Sequence, residues 1–244
     1  MPTLFVAGHS DSGDRFLPPG VAAWPERARA WLESTRAESW TLASAPFAPM
    51  GSGAADYLMR KVEAAAPDIL VLPLGAYVCT IGSVAESVRQ RFGVKAGHAF
   101  SRAEGKMRAQ TRSGRIRRPA RVMTQRAARR VLGTRTLVGV EETTAIFADV
   151  LHRLARREAL EVVAVLDARF SEPMQRLNPG IHDVFERMER ELLPIVESHR
   201  FGFMNLEGAL REAPDRAVFY QEDGIHTTAA FHEVYFEALK AALK

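Results

Sequence analysis

The chain has 244 residues, 47% of them hydrophobic and 25% charged, so it can bury the core of a full α/β domain and is too apolar for a disordered protein. Its single cysteine, Cys79, excludes an intramolecular disulfide and argues against a Cys-based metal cluster. The formal net charge is +4, but twelve Lys or Arg and one acid, Glu104, lie between Arg102 and Arg135, which puts +11 on that segment and −7 on the rest.

The N-terminus lacks a basic region followed by an apolar one, because Met1-Pro2-Thr3 leads directly into a strand-like run. No apolar run approaches the length that crosses a bilayer. These features predict a cytoplasmic protein without a transmembrane segment. The sequence indicates neither a cofactor nor a metal site.

Strand-like and helix-like segments alternate along most of the chain. The predicted strands are 3–7, 40–44, 69–74, 160–166 and 201–206. The predicted helices between and after them are 22–33, 54–66, 143–157, 181–196 and 227–243. This alternation predicts a parallel sheet between two helical layers, a three-layer α/β/α sandwich in a single domain spanning 1–244.

Residues 83–136 interrupt this alternation and are far too many for an ordinary connection. Within them, 84–92 and 121–132 have helical patterns, and the second is basic with Val122, Met123, Ala127 and Val131 along one side. The Gly-, Arg- and Ser-rich stretch between these helices is expected to be mobile. We interpret the segment as a basic insertion after the third strand, above the C-terminal edge of the sheet.

The first strand ends in Gly8-His9-Ser10, which places a serine two residues after a strand-terminating glycine. Parallel sheets expose small polar side chains at the C-terminal ends of their strands, where ligands bind. Gly, Ser and Asp also dominate ordinary turns, so this segment alone is more typical of a simple turn. Ser12 becomes a rival nucleophile if the turn is shifted.

The segment Asp223-Gly224-Ile225-His226 immediately precedes the last predicted helix. An Asp three residues before a His can orient the imidazole, which can then act as a general base towards a serine. A capping turn is the alternative interpretation. Paired with Ser10, however, the segment predicts a catalytic triad of Ser10, His226 and Asp223.

At these residues the chain resembles the SGNH or GDSL esterases and lipases, over nearly its whole length. Gly8-His9-Ser10 is similar to the family's Gly-Asp-Ser block, with His9 in place of Asp, and the Asp223–His226 segment matches the family's last block. The resemblance implies a flavodoxin-like fold and a serine hydrolase that cleaves a carboxylic ester or thioester through an acyl-enzyme on Ser10. It leaves hydrolysis and acyl transfer both open.

The resemblance also implies an oxyanion hole formed by the backbone N–H groups of Ser10 and Gly53. The family's third block supplies an Asn as a further donor, but this chain has Gly75-Ala76-Tyr77 there. Losing one such donor typically costs about 10²–10³ in rate. The Tyr77 hydroxyl, or less directly Thr80, is a substitute donor. A slower esterase, one with a rebuilt hole and an inactive descendant remain open.

The basic segment Arg102–Arg135 suggests an anionic partner, such as an acyl carrier protein, an anionic sugar, a lipid headgroup or phosphate. A merely solvated charged face is the alternative. Nucleic acid is poorly supported, because Phe100 is the only aromatic residue near these arginines. The competing hypothesis for the whole chain is a non-catalytic or acyl-transferring protein of the same fold whose basic insertion binds an acidic partner.

Overall fold

The structure is a computed structural model that describes residues 1–8, 12–75, 77–112, 118–211, 213 and 215–243. The side chains of residues 108, 111, 112, 118, 119, 121, 122, 125, 126 and 211 are also outside the description. The chain forms two compact units, one of residues 1–78 and 140–244 and one of residues 79–139.

Five strands and eleven helices are assigned within the described residues. The strands are β1 Thr3–Gly8, β2 Thr41–Pro46, β3 Ile69–Pro73, β4 Glu161–Leu166 and β5 Gly202–Asn205. The helices are α1 Trp24–Arg36, α2 Ala54–Ala65, α3 Tyr77–Thr80, α4 Val84–Phe92, α5 Val94–Arg112, α6 Arg118–Leu132, α7 Val140–Leu154, α8 Glu172–Leu177, α9 Ile181–Ser198, α10 Leu206–Arg211 and α11 Ala229–Ala242. Each strand and helix predicted between 1 and 78 and after 140 is present, with ends shifted by a few residues.

All five strands are parallel and lie in the order β2-β1-β3-β4-β5. This is the flavodoxin-like order, so the predicted fold class is confirmed. Because the strands are parallel, the segments that follow β1, β2, β3 and β4 leave from the same edge of the sheet. This edge is where open α/β sheets place their ligand sites.

The sheet of the first unit is covered on both faces. The helices α1 and α11 pack together on one face, and α7 packs against both α2 and α9 on the other. Every residue of β3 is buried, as its uninterrupted apolar run predicted. The core therefore continues through the sheet from one helical layer to the other.

A buried histidine connects α1 to α11. The first N–H groups of a helix lack partners within the helix, and the backbone N–H of Trp24 donates to His232 Nδ1 at 3.1 Å. Burial, helped by the nearby Arg27 cation, lowers the pKa of His232 to about 4. The imidazole is therefore neutral at pH 7 and can accept this hydrogen bond, while Trp24 stacks on Tyr235 with ring centroids 4.1 Å apart.

The second unit, residues 79–139, has bounds close to those predicted for the insertion. Its helices α4, α5 and α6 pack against one another. An antiparallel bridge joins its two ends: Ser83 N–H donates to Arg135 O at 2.8 Å, and Arg135 N–H donates to Ser83 O at 3.1 Å. The predicted helix 84–92 is confirmed, and the basic helix begins three residues earlier than predicted, at Arg118.

The helix α5 was not predicted, because its two glycines disfavour helices. One of them, Gly97, allows a close approach to α4: a Cβ at this position would lie 2.6 Å from Arg89 Cβ. The remaining Ala, Lys, Arg and Met residues favour a helix and outweigh the glycines. Of the stretch predicted to be mobile, 113–117 lies outside the described residues.

Within the described part of the chain, no helix is both long enough and apolar enough to cross a membrane.

Candidate active site

Asp223 and His226 form a local hydrogen-bonded pair in the turn that precedes α11. One Asp223 carboxylate oxygen accepts the backbone N–H groups of Ile225 and His226, both at 3.0 Å. The other oxygen lies 2.6 Å from His226 Nδ1. One oxygen therefore shapes the turn while the other orients the ring, and the opposite ring nitrogen, Nε2, points away from the carboxylate.

The environment of Asp223 favours its ionised form. Burial alone raises the pKa of this carboxyl, but the hydrogen bonds from the His226 ring and from the backbone of Ile225 and His226 outweigh burial. The pKa of Asp223 is consequently below its ordinary value. A carboxylate that stays ionised can stabilise an imidazolium ion beside it.

The turn depends on the glycine at its second position. Gly224 has φ +73°, in the left-handed region that side chains rarely adopt. Its carbonyl also accepts the backbone N–H of Ser171, at 3.2 Å, and a Cβ on Gly224 would collide with the Ser171 side chain. Ser171, in the segment after β4, thus supports the turn, and only a glycine at position 224 leaves room for the Ser171 side chain.

Two contacts join the segment after β1 to the Asp223–His226 turn. The Phe16 ring stacks on the His226 ring, with centroids 3.8 Å apart and an angle of 29° between planes. Gln221 Nε2 donates to Phe16 O at 3.1 Å, and the Gln221 backbone N–H donates to His226 O at 2.7 Å. Sequence patterns did not single out either residue, since they are 205 positions apart.

Loss of the Phe16 ring should impair the orientation of His226. We expect Phe16→Leu to lower kcat for p-nitrophenyl acetate by about three- to tenfold, which corresponds to the free energy of one aromatic contact. KM should stay within about twofold of wild type. Phe201→Leu is a matched control, because Phe201 contacts a different histidine, His199, with centroids 5.6 Å apart. Equal kcat losses in both variants would contradict a specific contribution of Phe16.

Ser10 and His9 lie outside the described residues, but Gly8 before them and Ser12 after them are described. Gly8 ends β1, and a Cβ there would lie 2.7 Å from both Cβ and Oγ of Ser12. The Ser12 hydroxyl is buried and has no hydrogen-bond partner within the described part of the chain. The Ser12 side chain therefore packs against the end of β1, and this contact gives it a role in the packing of the turn.

The predicted oxyanion donors lie on segments that follow β2 and β3. Gly53 immediately precedes α2, and its backbone N–H donates to no residue that the structure describes. Tyr77 begins α3, is 44% exposed, and its hydroxyl has no hydrogen-bond partner among the described residues. Both groups are thus available as donors, while their distances to Ser10 fall outside the description.

An ion pair behind the turn was missed by the sequence patterns. Arg216 makes a two-point contact with Glu207, with Nη1 and Nη2 at 2.6 and 2.8 Å from the two carboxylate oxygens. Both groups also bond to Arg169 after β4: its N–H donates to Glu207 Oε2 at 3.0 Å, and its carbonyl accepts from Arg216 Nη2 at 3.1 Å. This network connects the segment after β4 to the residues leading into the turn.

No family model matches the sequence, and no curated protein matches it. Solved structures do match almost the whole chain. TesA is 15% identical with a TM-score of 0.56, covering 99% of this chain and 98% of its own. LAE5, an alpha/beta hydrolase enzyme from the metagenome of Lake Arreo, Spain, is 17% identical with a TM-score of 0.57, covering 99% and 94%.

A third similar structure is Axe2, an acetylxylan esterase from Geobacillus stearothermophilus. It is 11% identical with a TM-score of 0.54, covering 99% of this chain and 93% of its own. Two catalytic mutants of Axe2, in which a serine and an aspartate are replaced by alanine, match with TM-scores of 0.53 and 0.52. These likenesses fit the resemblance to the SGNH hydrolases and confirm the fold that it implied. The chain shares its fold, over almost its whole length, with TesA, LAE5 and Axe2.

Proposed function

We propose that the protein is a serine hydrolase of the SGNH type that cleaves a carboxylic ester or thioester. The observation that carries the proposal is the oriented Asp223–His226 pair, on which Phe16 from the segment after β1 is stacked. Ser10 lies between the end of β1 and Phe16 in the sequence, in the block that resembles the family's nucleophile. The fold shared with the esterase Axe2 supports the same reaction class.

The proposed reaction begins with attack by Ser10 Oγ on the carbonyl carbon of the ester. The serine proton passes to His226 Nε2, and the carbonyl oxygen becomes an oxyanion. The backbone N–H groups of Ser10 and Gly53 donate to this oxyanion, with the Tyr77 hydroxyl as a third donor. Asp223 stays ionised and stabilises the imidazolium.

The tetrahedral intermediate then collapses, the bond to the leaving oxygen or sulfur breaks, and His226 returns its proton to the leaving group. Water attacks the resulting acyl-enzyme with His226 again as general base, which releases the acid and restores Ser10. Asp223 and His226 act both in forming and in hydrolysing the acyl-enzyme, and each ends in the protonation state in which it began. Each step uses groups of this chain, the ester and water alone.

Covalent labelling by a fluorophosphonate tests the nucleophile. Wild-type protein and Ser12→Ala should be labelled and should hydrolyse p-nitrophenyl acetate, whereas Ser10→Ala should do neither. Ser12→Ala is the matched control because it removes a neighbouring serine hydroxyl from the same segment. Equal labelling of Ser10→Ala, or no labelling of folded wild-type protein, would overturn the mechanism.

A further inference from the structure

Three apolar residues of α6, which are Met123, Ala127 and Val131, are exposed, although a surface helix usually turns its apolar side chains inward. Met123 and Val131 are 70% and 76% exposed, and Ala127 between them is exposed as well. The three residues are spaced by four, so they form one stripe along the helix. Single exposed apolar residues are common, but an aligned stripe is a feature that needs an explanation.

The other side of α6 already has its packing partners within the second unit. Helices α4 and α5 contact it, and Ser87 Oγ donates to Leu132 O at 2.6 Å. Arg129 lies on this packed side, only partly exposed, and its Nη2 donates to Gly82 O at 3.4 Å. The Arg129 cation therefore lies on the packed side of α6, while Met123 and Val131 face solvent.

The charge of this helix has a single sign. Between Arg118 and Leu132 there are five arginines and no acidic residue. Arg130 is exposed beside the apolar stripe. The side chain of Val122, expected from the sequence to extend the stripe, lies outside the described residues.

We propose that α6 binds the surface of an anionic lipid bilayer. Met123, Ala127 and Val131 enter the headgroup region, while arginines of the same helix attract the anionic headgroups. A partner that is only acidic uses the arginines but leaves the apolar stripe in water. Nucleic acid is disfavoured, because the helix has no aromatic side chain on which a base can stack. The proposal is independent of the ester hydrolysis proposed above.

Co-sedimentation with vesicles tests the proposal on the full chain. Wild-type protein should sediment with vesicles of phosphatidylcholine and phosphatidylglycerol in a 70:30 mixture at low salt, and about tenfold less with phosphatidylcholine alone. Binding should weaken in high salt, because screening shortens the reach of the arginines to below about 10 Å above 0.1 M.

Two variants separate the apolar from the electrostatic contribution. We expect the neutral double variant Met123→Gln, Val131→Gln, and separately Arg130→Glu, each to reduce binding to the anionic vesicles by about tenfold. Leu177→Gln and Arg176→Glu on α8 are matched controls, since Leu177 is 47% exposed and the Arg176 side chain is 72% exposed. The controls should bind as wild type does.

Three results would overturn the proposal. These are no sedimentation of wild-type protein with anionic vesicles, equal losses in the α8 controls, and binding that Arg130→Glu weakens but the apolar double variant does not. The last result would indicate an acidic macromolecule as the partner instead. Each variant should unfold at the Tm of wild type, because the altered side chains all lie on the surface, and thermal unfolding checks that its fold is intact.

Discussion

Replacing Asp223 by Asn should lower kcat for p-nitrophenyl acetate by about 10⁴-fold, the size of the loss when a triad aspartate is neutralised in this way. Asn has nearly the same shape, so the turn can still form. The charge that stabilises the imidazolium is lost, however, and an amide NH₂ placed 2.6 Å from His226 Nδ1 would favour the wrong tautomer. KM should change little, because the loss falls on the transition state.

Asp215→Asn provides the control for this measurement. Asp215 also caps a short turn, since its carboxylate accepts the backbone N–H of Ala217 at 2.8 Å. It belongs to the same stretch of chain and undergoes the same chemical change. A kcat within about twofold of wild type is expected there. If Asp223→Asn retained more than a tenth of the wild-type kcat, Asp223 would have only the structural role of a capping residue.

The lowered pKa of Asp223 also gives its effect on stability a definite pH dependence. The pKa in the folded protein lies below the value of about 3.9 for the unfolded chain, so ionisation of Asp223 favours folding at higher pH. That contribution is complete above the unfolded value and fades as the pH falls through the folded one. The difference in stability between wild type and Asp223→Asn should therefore narrow below about pH 4.

The parts of the site that the sequence predicted are those held by short-range geometry. Asp223 and His226 are three residues apart, so the turn alone brings carboxylate and imidazole together. The parallel sheet between two helical layers followed from the alternation of strands with helices, and the family resemblance implied its flavodoxin-like form. Gly53 and Tyr77 stay predictions of the family resemblance, which places oxyanion donors in the segments after β2 and β3.

The supporting residues were not predictable in the same way. Phe16 and Gln221 meet only because the folded sheet brings the segment after β1 to the turn before α11. Arg169 is 38 residues from Glu207 and has no pattern that marks the contact. Such contacts depend on how layers pack, which the periodicity of a single segment does not encode. The packing role of Gly97 in α5 could not be predicted for the same reason, because it arises only where the folded chain brings α5 close to α4.

Replacing Arg216 by Met should destabilise the protein by about 2–3 kcal/mol, below the 3–5 kcal/mol typical of a fully buried pair because the Arg216 side chain remains 26% exposed. Burial raises the pKa of Glu207, but the Arg216 and Arg169 contacts outweigh it and keep the carboxyl ionised. Without Arg216, an uncompensated carboxylate would remain in a site that is 12% exposed. We expect Tm to fall by roughly 5–10 °C in thermal unfolding.

The variant Arg157→Met separates this effect from the loss of any surface ion pair. Arg157 Nη2 lies 2.9 Å from Glu63 Oε1, but the Glu63 side chain is 62% exposed, so the loss there should stay below about 1 kcal/mol. Arg216→Met should also lower kcat more than Arg157→Met, since Arg216 and Tyr220 both bond to Arg169 O and thereby fix the approach to the Asp223–His226 turn. Equal effects of the two variants on Tm and kcat would mean that Arg216 is an ordinary surface cation. A larger effect of Arg216→Met on both would indicate that the segment after β4 supports the Asp223–His226 turn.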